Sequence, residues 1–251
     1  MKKLNEIINL DQSKWFVFDD PFDHVVIDNF FNETFALNIA KEFPKHDDPV
    51  WTRIYNNPVE VKWTCNHWDR FSENIYVALT QCMSPNFTKI LSDFFDVDFL
   101  LPDYGLHGGG IHSHKSGGKL NIHKDYSIHP KLNMMRNFNL IVYMTPNWNK
   151  EWNGGLELWS HDETTNRPKE LVKVIENKFN RAVIFDTTQN SWHGLPSTLC
   201  CPETVSRNSL AVYYVSNITG DVENRKKAFF VPSADQIGNT EIELFCEERS
   251  R

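Results

Sequence analysis

What most limits the fold of this chain is a succession of short strand-like runs after about residue 99. "LNIHK" (120–124), "FNLIVYMT" (138–145), "LELWS" (156–160), "ELVKVIE" (170–176), "RAVIFD" (181–186) and "SLAVYYVS" (209–216) follow one another. Turn residues separate them: Gly117-Gly118, Asn153-Gly154-Gly155, Asn166-Arg167-Pro168 and Asn177 to Asn180. Many short strands at this spacing predict a sandwich or barrel, and most directly a jelly roll, the double-stranded β-helix. The earlier part of the chain reads differently. "HVVIDNFF" (24–31) is a strand, and Asn32 then opens a helix whose apolar face is Ala36, Ile39, Ala40 and Phe43, stopped by Pro44. "SENIYVALTQC" (72–82) reads as helical, and Ser84-Pro85 starts another helix with Phe87, Ile90, Leu91, Phe94 and Phe95 as its buried stripe. The expected class is α+β, mainly β, in a single domain over 1–251. Residues 1–98 form an N-terminal support region, 99–216 the jelly-roll core, and 217–251 a C-terminal extension ending in a helix at "TEIELFCEER".

A content of 40% hydrophobic and 13% aromatic residues is ample for one core. A net charge of -7 argues against nucleic acid or an anionic membrane as a general partner, and the basic cluster "NRKK" (224–227) is too short to reverse that. No apolar run approaches a membrane span, and the N-terminus lacks the apolar segment of a signal peptide. The five cysteines form no C-x-x-C, and an odd count without a secretory signal suggests reduced thiols and a cytoplasmic location. The adjacent Cys200-Cys201 reads as packing, because vicinal cysteines rarely bridge.

The chemistry is concentrated in "LNIHKDYSIHP" (120–130). On a strand, residues i and i+2 share a face, so His123 and Asp125 would converge on one point. Such a pair is part of a 2-His-1-carboxylate iron site. With 10 His and 17 Asp, chance gives about 0.7 His-x-Asp pairs, and there are three: His46-Asp48, His67-Asp69 and His123-Asp125. The first lies in the loop "PKHDDP" and the second in "CNHWDRF", and both read as solvated loop residues. Only the third lies on a strand with partners downstream. His193 in "NSWHGLP" follows the strand "RAVIFD", and Arg207 in "VSRNSLAVYY" opens the last strongly apolar strand. A guanidinium at the start of a core strand is costly unless an anion meets it, and a carboxylate ligand would do so bidentately.

At these residues the chain resembles the iron(II)/2-oxoglutarate-dependent dioxygenases, in their prolyl 4-hydroxylase-like branch. The resemblance runs from Gly117 to Ser216, through "GGKLNIHKDY", "RNFNLIVYMTPNWNKEWNGGLELW", "NKFNRAVIFDTTQNSWHGLP" and "RNSLAVYY", in that order. It implies that His123, Asp125 and His193 hold Fe(II), leaving positions for 2-oxoglutarate and O2. It also implies that Arg207 pairs with the far carboxylate of 2-oxoglutarate, that Tyr143 hydrogen-bonds the same group, and that Ser209 adds a hydroxyl. Arg207 stands where the collagen-type enzymes use lysine. Of His112 and His114, His112 is expected at the metal-proximal end of 2-oxoglutarate and His114 in solvent. His24, His107, His129 and His161 are read as satisfied polar contacts. Because the carboxylate Asp125 is kept, hydroxylation is expected rather than halogenation.

A small-molecule or peptide substrate is expected: an amino acid, a peptidyl proline or a small metabolite. Arg136, Asn139 and Trp192 are the candidate contacts, with Arg136 near the mouth, while core packing is an equal reading for Trp192. The aromatic stretch with Trp51, Tyr55, Trp63 and Trp68 reads as a lid or as a cap packed on the barrel. Two alternatives use the same fold: a cupin-like isomerase or lyase, and a catalytically silent binding module. The first would not need Arg207 with Tyr143, and the intact His123, Asp125 and His193 argue against the second.

Overall fold

The computed structural model describes residues 4–220, 223 and 225–250, so Asn224 of the basic cluster lies outside the described residues. Its strands are β1 (Trp15–Phe18), β2 (His24–Ile27), β3 (Arg53–Asn57), β4 (Glu60–Cys65), β5 (Leu101–Pro102), β6 (Gly110–His114) and β7 (Lys119–Lys124). They continue as β8 (Met135–Tyr143), β9 (Leu156–Asp162), β10 (Arg167–Ile175), β11 (Ala182–Asp186), β12 (Trp192–Leu195), β13 (Arg207–Ser216) and β14 (Phe229–Phe230). Four α-helices accompany them: α1 (Glu33–Glu42), α2 (Glu73–Cys82), α3 (Pro85–Phe94) and α4 (Thr240–Ser250). No helix of the described residues is long and apolar enough to cross a membrane.

The strands join in the order β1-β2-β11-β8-β13-β6-β4-β7-β12-β9-β10, with β14 on β7, β3 on β4 and β5 on β13. Every pairing is antiparallel, and the sheet curls on itself as a jelly roll does. Strand order departs from chain order at each crossover, which is how β7 and β12, distant in sequence, become neighbours.

Local chemistry explains the element boundaries. The Asn32 side chain accepts from the Thr34 amide at the start of α1, and Ser84 accepts from the Phe87 amide at the start of α3, where Pro85 takes the first helical position. β10 begins at Arg167, inside the segment expected to be turn, because Asn166 alone takes the left-handed conformation (φ 52°) that closes the β9–β10 hairpin.

The residues expected to form a lid or cap do neither. β3 and β4 make a hairpin within this stretch, and β4 bonds into the sheet against both β6 and β7. Trp51 and Trp63 pack into the main core.

Strand alternation divides the sheet into two unlike faces. Phe138, Leu140 and Val142 of β8, with Leu210, Val212 and Tyr214 of β13, pack against Ile39 of α1, Leu79 of α2 and Phe87 and Leu91 of α3. Burying each such side chain is worth about 1.5–3 kcal/mol, and a one-residue slip would turn all of them away from the helices. This apolar packing therefore fixes the register of β8 and β13. It thereby fixes what the intervening residues, Asn139 and Tyr143 on β8 and Arg207, Ser209 and Tyr213 on β13, present to the barrel interior.

Candidate active site

β7 and β12 pair with His123 directly opposite His193. The approach is close because of Gly194: a Cβ there would stand 2.8 Å from the Leu120 and Asn121 carbonyl oxygens. The two imidazole rings lie 4.4 Å apart between centroids. Each uses Nδ1 on a backbone carbonyl two residues earlier, His123 on Asn121 and His193 on Ser191, both at 2.9 Å. A carbonyl only accepts, so each Nδ1 carries the proton and each Nε2 is left as a free lone pair. Both lone pairs face one carboxylate: Asp125 Oδ1 is 3.8 Å from His123 Nε2, and Asp125 Oδ2 is 3.9 Å from His193 Nε2. The three ligand atoms lie within 4.8 Å of one another, and all three residues are buried.

Burial pushes the Asp125 carboxyl up, but the Arg136 guanidinium and the two imidazoles outweigh it and hold it at about 2. Burial pushes His123 down to about 3, with neighbouring His193 adding to the effect, and His193 is lowered for the same first reason. The cluster thus presents two neutral imidazoles and one anion, the donor set that suits a divalent iron. The carbonyls behind the rings supply the outer support such a site needs.

The carboxylate has its own neighbours. Tyr213 donates its hydroxyl to Asp125 Oδ2 at 3.1 Å, and Asn139 donates to the same oxygen at 3.5 Å and to the Tyr213 hydroxyl at 2.8 Å. Tyr213 was not among the residues read from the sequence. Alternation along β13 from Arg207 through Ser209 would have found it on the same face.

Arg136 is corrected in position: it is 1% exposed rather than at the mouth. Its guanidinium lies between the rings of Tyr126 and Tyr213, at 3.6 and 3.1 Å, donates to the His107 carbonyl, and stands 3.9 Å from Asp125 Oδ1. Asn139 also sits at the carboxylate. Trp192 is fully buried, donates to His161 Nδ1 at 2.9 Å and packs against Phe229, so of its two readings the structure supports packing.

A second polar group lies along β13, β6 and β8. Arg207 opposes His114, while Ser209 opposes both His112 and Tyr143, so all five share one face. Arg207 is buried, and its Nε donates to the Gly154 carbonyl at 2.7 Å. No carboxylate of the described residues pairs with it. The buried Tyr143 hydroxyl and both ring nitrogens of His114 have no hydrogen-bond partner. His114 is 2% exposed, which corrects its expected solvation. Unpartnered polar atoms, the Tyr143 hydroxyl among them, beside a buried guanidinium that lacks a carboxylate form a cradle for an anion, and the carboxylate of 2-oxoglutarate fits it chemically.

The remaining histidines separate cleanly. His67 is exposed, as expected. His46 is half-buried rather than free in solvent: it stacks on Trp63 at 4.3 Å, and its Nε2 meets the Ser113 hydroxyl at 2.8 Å. His129 meets Asp103 at 3.2 Å, and His24 Nδ1 meets the Phe22 carbonyl at 2.8 Å. All five cysteines are free, including the adjacent Cys200 and Cys201.

A cavity of about 550 Å³ opens beside the cluster, lined in part by Arg53, Tyr55, His107, Gly108, Tyr126 and Arg249. Tyr126 follows Asp125 in the chain, and Arg249 lies over the Phe230 ring, which stacks on His123 at 4.7 Å. A larger cavity, about 710 Å³, lies among Trp148, Asn153, Val174, Asn177 and Leu195, and none of the candidate residues lines it.

Residues 109–215 match the sequence model of the 2OG-Fe(II) oxygenase superfamily. The chain is 26% identical over 214 residues to prolyl 3-hydroxylase OGFOD1 of Mus musculus, a match covering 85% of this chain and 35% of that protein. It therefore spans about a third of the length of this relative. A prolyl-4-hydroxylase of Pseudomonas putida shares the fold with a TM-score of 0.55 at 12% identity, covering 84% of this chain and 98% of that one. A prolyl hydroxylase of Trichoplax adhaerens, solved with a hypoxia inducible factor peptide fragment, gives a TM-score of 0.50 at 13% identity, covering 84% and 88%. The two structures speak for the fold alone. The segment that carries His123, Asp125, His193 and Arg207 is thus similar to the 2OG-Fe(II) oxygenase superfamily. The match and the two imidazoles beside one carboxylate support a 2-oxoglutarate-dependent oxygenase, a family whose reagents are Fe(II), 2-oxoglutarate and O2. The isomerase, lyase and silent-module readings are not favoured.

Proposed function

We propose that the chain hydroxylates a prolyl residue within a peptide, with His123, Asp125 and His193 holding iron and Arg207 holding 2-oxoglutarate. The observation that carries the site assignment is the convergence of two proton-locked imidazoles and one ionised carboxylate within 4.8 Å. The prolyl reading is supported by the relatives, which are named as prolyl hydroxylases, and by the open cavity beside the cluster. Iron(II), when bound there, supplies the redox chemistry that converts 2-oxoglutarate and O2 into succinate and CO2 while a C–H bond becomes C–OH.

The chain's own residues do the positioning. Arg207 meets the far carboxylate of 2-oxoglutarate as a charged pair, and the Tyr143 hydroxyl donates to it. Ser209 and His114 line the same face, and His112, opposite Ser209, is available to the other end of the molecule. Tyr213, Asn139 and Arg136 hold Asp125 ionised and oriented. Burial of these groups, His112 excepted, excludes water from the reacting centre. A reducing, cytoplasmic setting is part of the proposal, supported by the five unpaired thiols.

The test is hydroxyproline formation on proline-containing peptides, followed by mass spectrometry alongside succinate release. His123→Ala, Asp125→Ala and His193→Ala should each abolish turnover and weaken iron binding in calorimetry, whereas His67→Ala should change neither. Full activity in any of the first three variants would remove that residue from the metal site.

A further inference from the structure

The protein carries a net charge of -7, yet the cavity beside the metal cluster is lined by four cations, Arg53, Lys226, Lys227 and Arg249, against one carboxylate, Glu248. Arg249 is already committed: it pairs with the buried Glu60, which also holds Lys62 at 3.0 Å. Arg53 is exposed and touches only the Tyr55 hydroxyl, at 3.5 Å. Lys226 and Lys227 are exposed, and no carboxylate of the described residues pairs with either. Three cations are thus left uncompensated on an otherwise acidic protein.

Their placement is two-sided. Arg53 stands on β3, and the lysines lie on the segment leading into β14, so the charges come from two separate elements lining one cavity. The cavity wall includes Tyr126, next to Asp125, and Arg249 over the ring that stacks on His123. Charges of one sign around a cleft focus the field and raise the local concentration of opposite charge. The anion served is not 2-oxoglutarate, whose carboxylate the buried Arg207 and Tyr143 already suit.

We propose that the mouth selects an acidic stretch of the substrate peptide, read by Arg53, Lys226 and Lys227 while the target proline lies at the metal. This rests on the peptidyl reading above. Exposed charge pairs are individually weak, roughly 2- to 5-fold each, so two or three together give about tenfold discrimination.

The experiment uses the full chain with iron(II), 2-oxoglutarate and three short synthetic peptides, each with one central proline flanked by glutamate, serine or lysine. kcat/KM should be about tenfold higher for the glutamate peptide than for the serine peptide, mainly through KM. The difference should collapse at about 0.5 M salt, where screening shortens the reach of exposed charges. The double variant K226E/K227E should lose the preference or turn it toward the lysine peptide, and R53E is an independent variant on the other side of the cavity. Equal turnover of the three peptides overturns the inference, as does a variant that shifts KM for 2-oxoglutarate instead of for the peptide. Uncoupled succinate formation without hydroxylation of any peptide removes the peptidyl reading itself, and this inference with it.

Discussion

Two arginines show how position decides a residue's role. Both are almost fully buried, and both come from the barrel interior. Arg207 has no carboxylate partner of its own among the described residues, so its guanidinium is available to a ligand. Arg207→Ala should therefore cost 2-oxoglutarate binding on the order of 3–5 kcal/mol, with Lys milder because it keeps charge but loses the bidentate fork. Arg136 instead stands 3.9 Å from Asp125 and is clamped between Tyr126 and Tyr213. Arg136→Ala should lower coupled hydroxylation and uncoupled 2-oxoglutarate turnover together and weaken iron binding. Succinate measured with and without peptide makes the comparison; loss confined to the coupled reaction would return Arg136 to the substrate. By sequence Arg136 lies on the entry side of its strand, near the mouth, where a second arginine suggests an anionic or carbonyl-bearing substrate group. The anion is Asp125, which the fold brings under it.

Among elements, β12 is short but decisive. It carries His193 and lies between β7 and β9. Its approach to β7 depends on Gly194, where a Cβ would meet two backbone oxygens at 2.8 Å. Backbone cannot swing aside as a side chain can, so Gly194→Ala must push the strands apart. Iron affinity should fall at least tenfold while the protein stays folded, since the displacement acts on His193 next door. Calorimetric iron titration with a circular-dichroism control checks this, and unchanged affinity would show that the strand absorbs the methyl group. The β3–β4 hairpin gives the opposite lesson. Its aromatic residues read equally as a lid or as a cap packed on the barrel, yet Trp63 on β4 packs into the main core. An aromatic-rich strand bonded on both edges is indistinguishable in sequence from an aromatic surface flap, because the partner strands are distant.

On the scale of the whole molecule, buried neutral histidines set the response to acid. Burial pushes His112 and His123 down to about 3, and lowers His24 and His114 as well. In the unfolded chain these rings take up protons near the ordinary imidazole value of about 6.5, whereas the folded chain keeps them neutral well below it. The unfolded state therefore binds more protons throughout that window, and stability falls as pH falls through it. Asp125, held at about 2 and so below the ordinary carboxylate range, extends the loss to still lower pH with the same sign. The metal-free protein should show a flat Tm above about pH 7 and a steady decline from about 6.5 downward. Thermal melts over that range measure it, and a Tm unchanged down to about pH 4.5 would contradict neutral burial of these rings.

The strand succession, the helix starts at Asn32 and Ser84, and the pairing of His123 with Asp125 were legible in the sequence. These are local signals: a period of two, a capping side chain, and a His-x-Asp pair whose histidine lies on β7 and whose aspartate directly follows it. The sequence also marked Arg207, because a charge opening an apolar strand is anomalous within a few residues of chain. The tertiary structure alone decided what depends on strands distant in sequence. Tyr213 reaches Asp125 because β13 crosses beside β8. Arg136 meets an anion, Trp192 meets His161, His46 stacks on Trp63, and His114 lies opposite Arg207, all through pairings set by the crossovers. Such contacts follow from which strands become neighbours, and that is settled by burying the apolar faces of the whole sheet at once, not by any one segment's pattern.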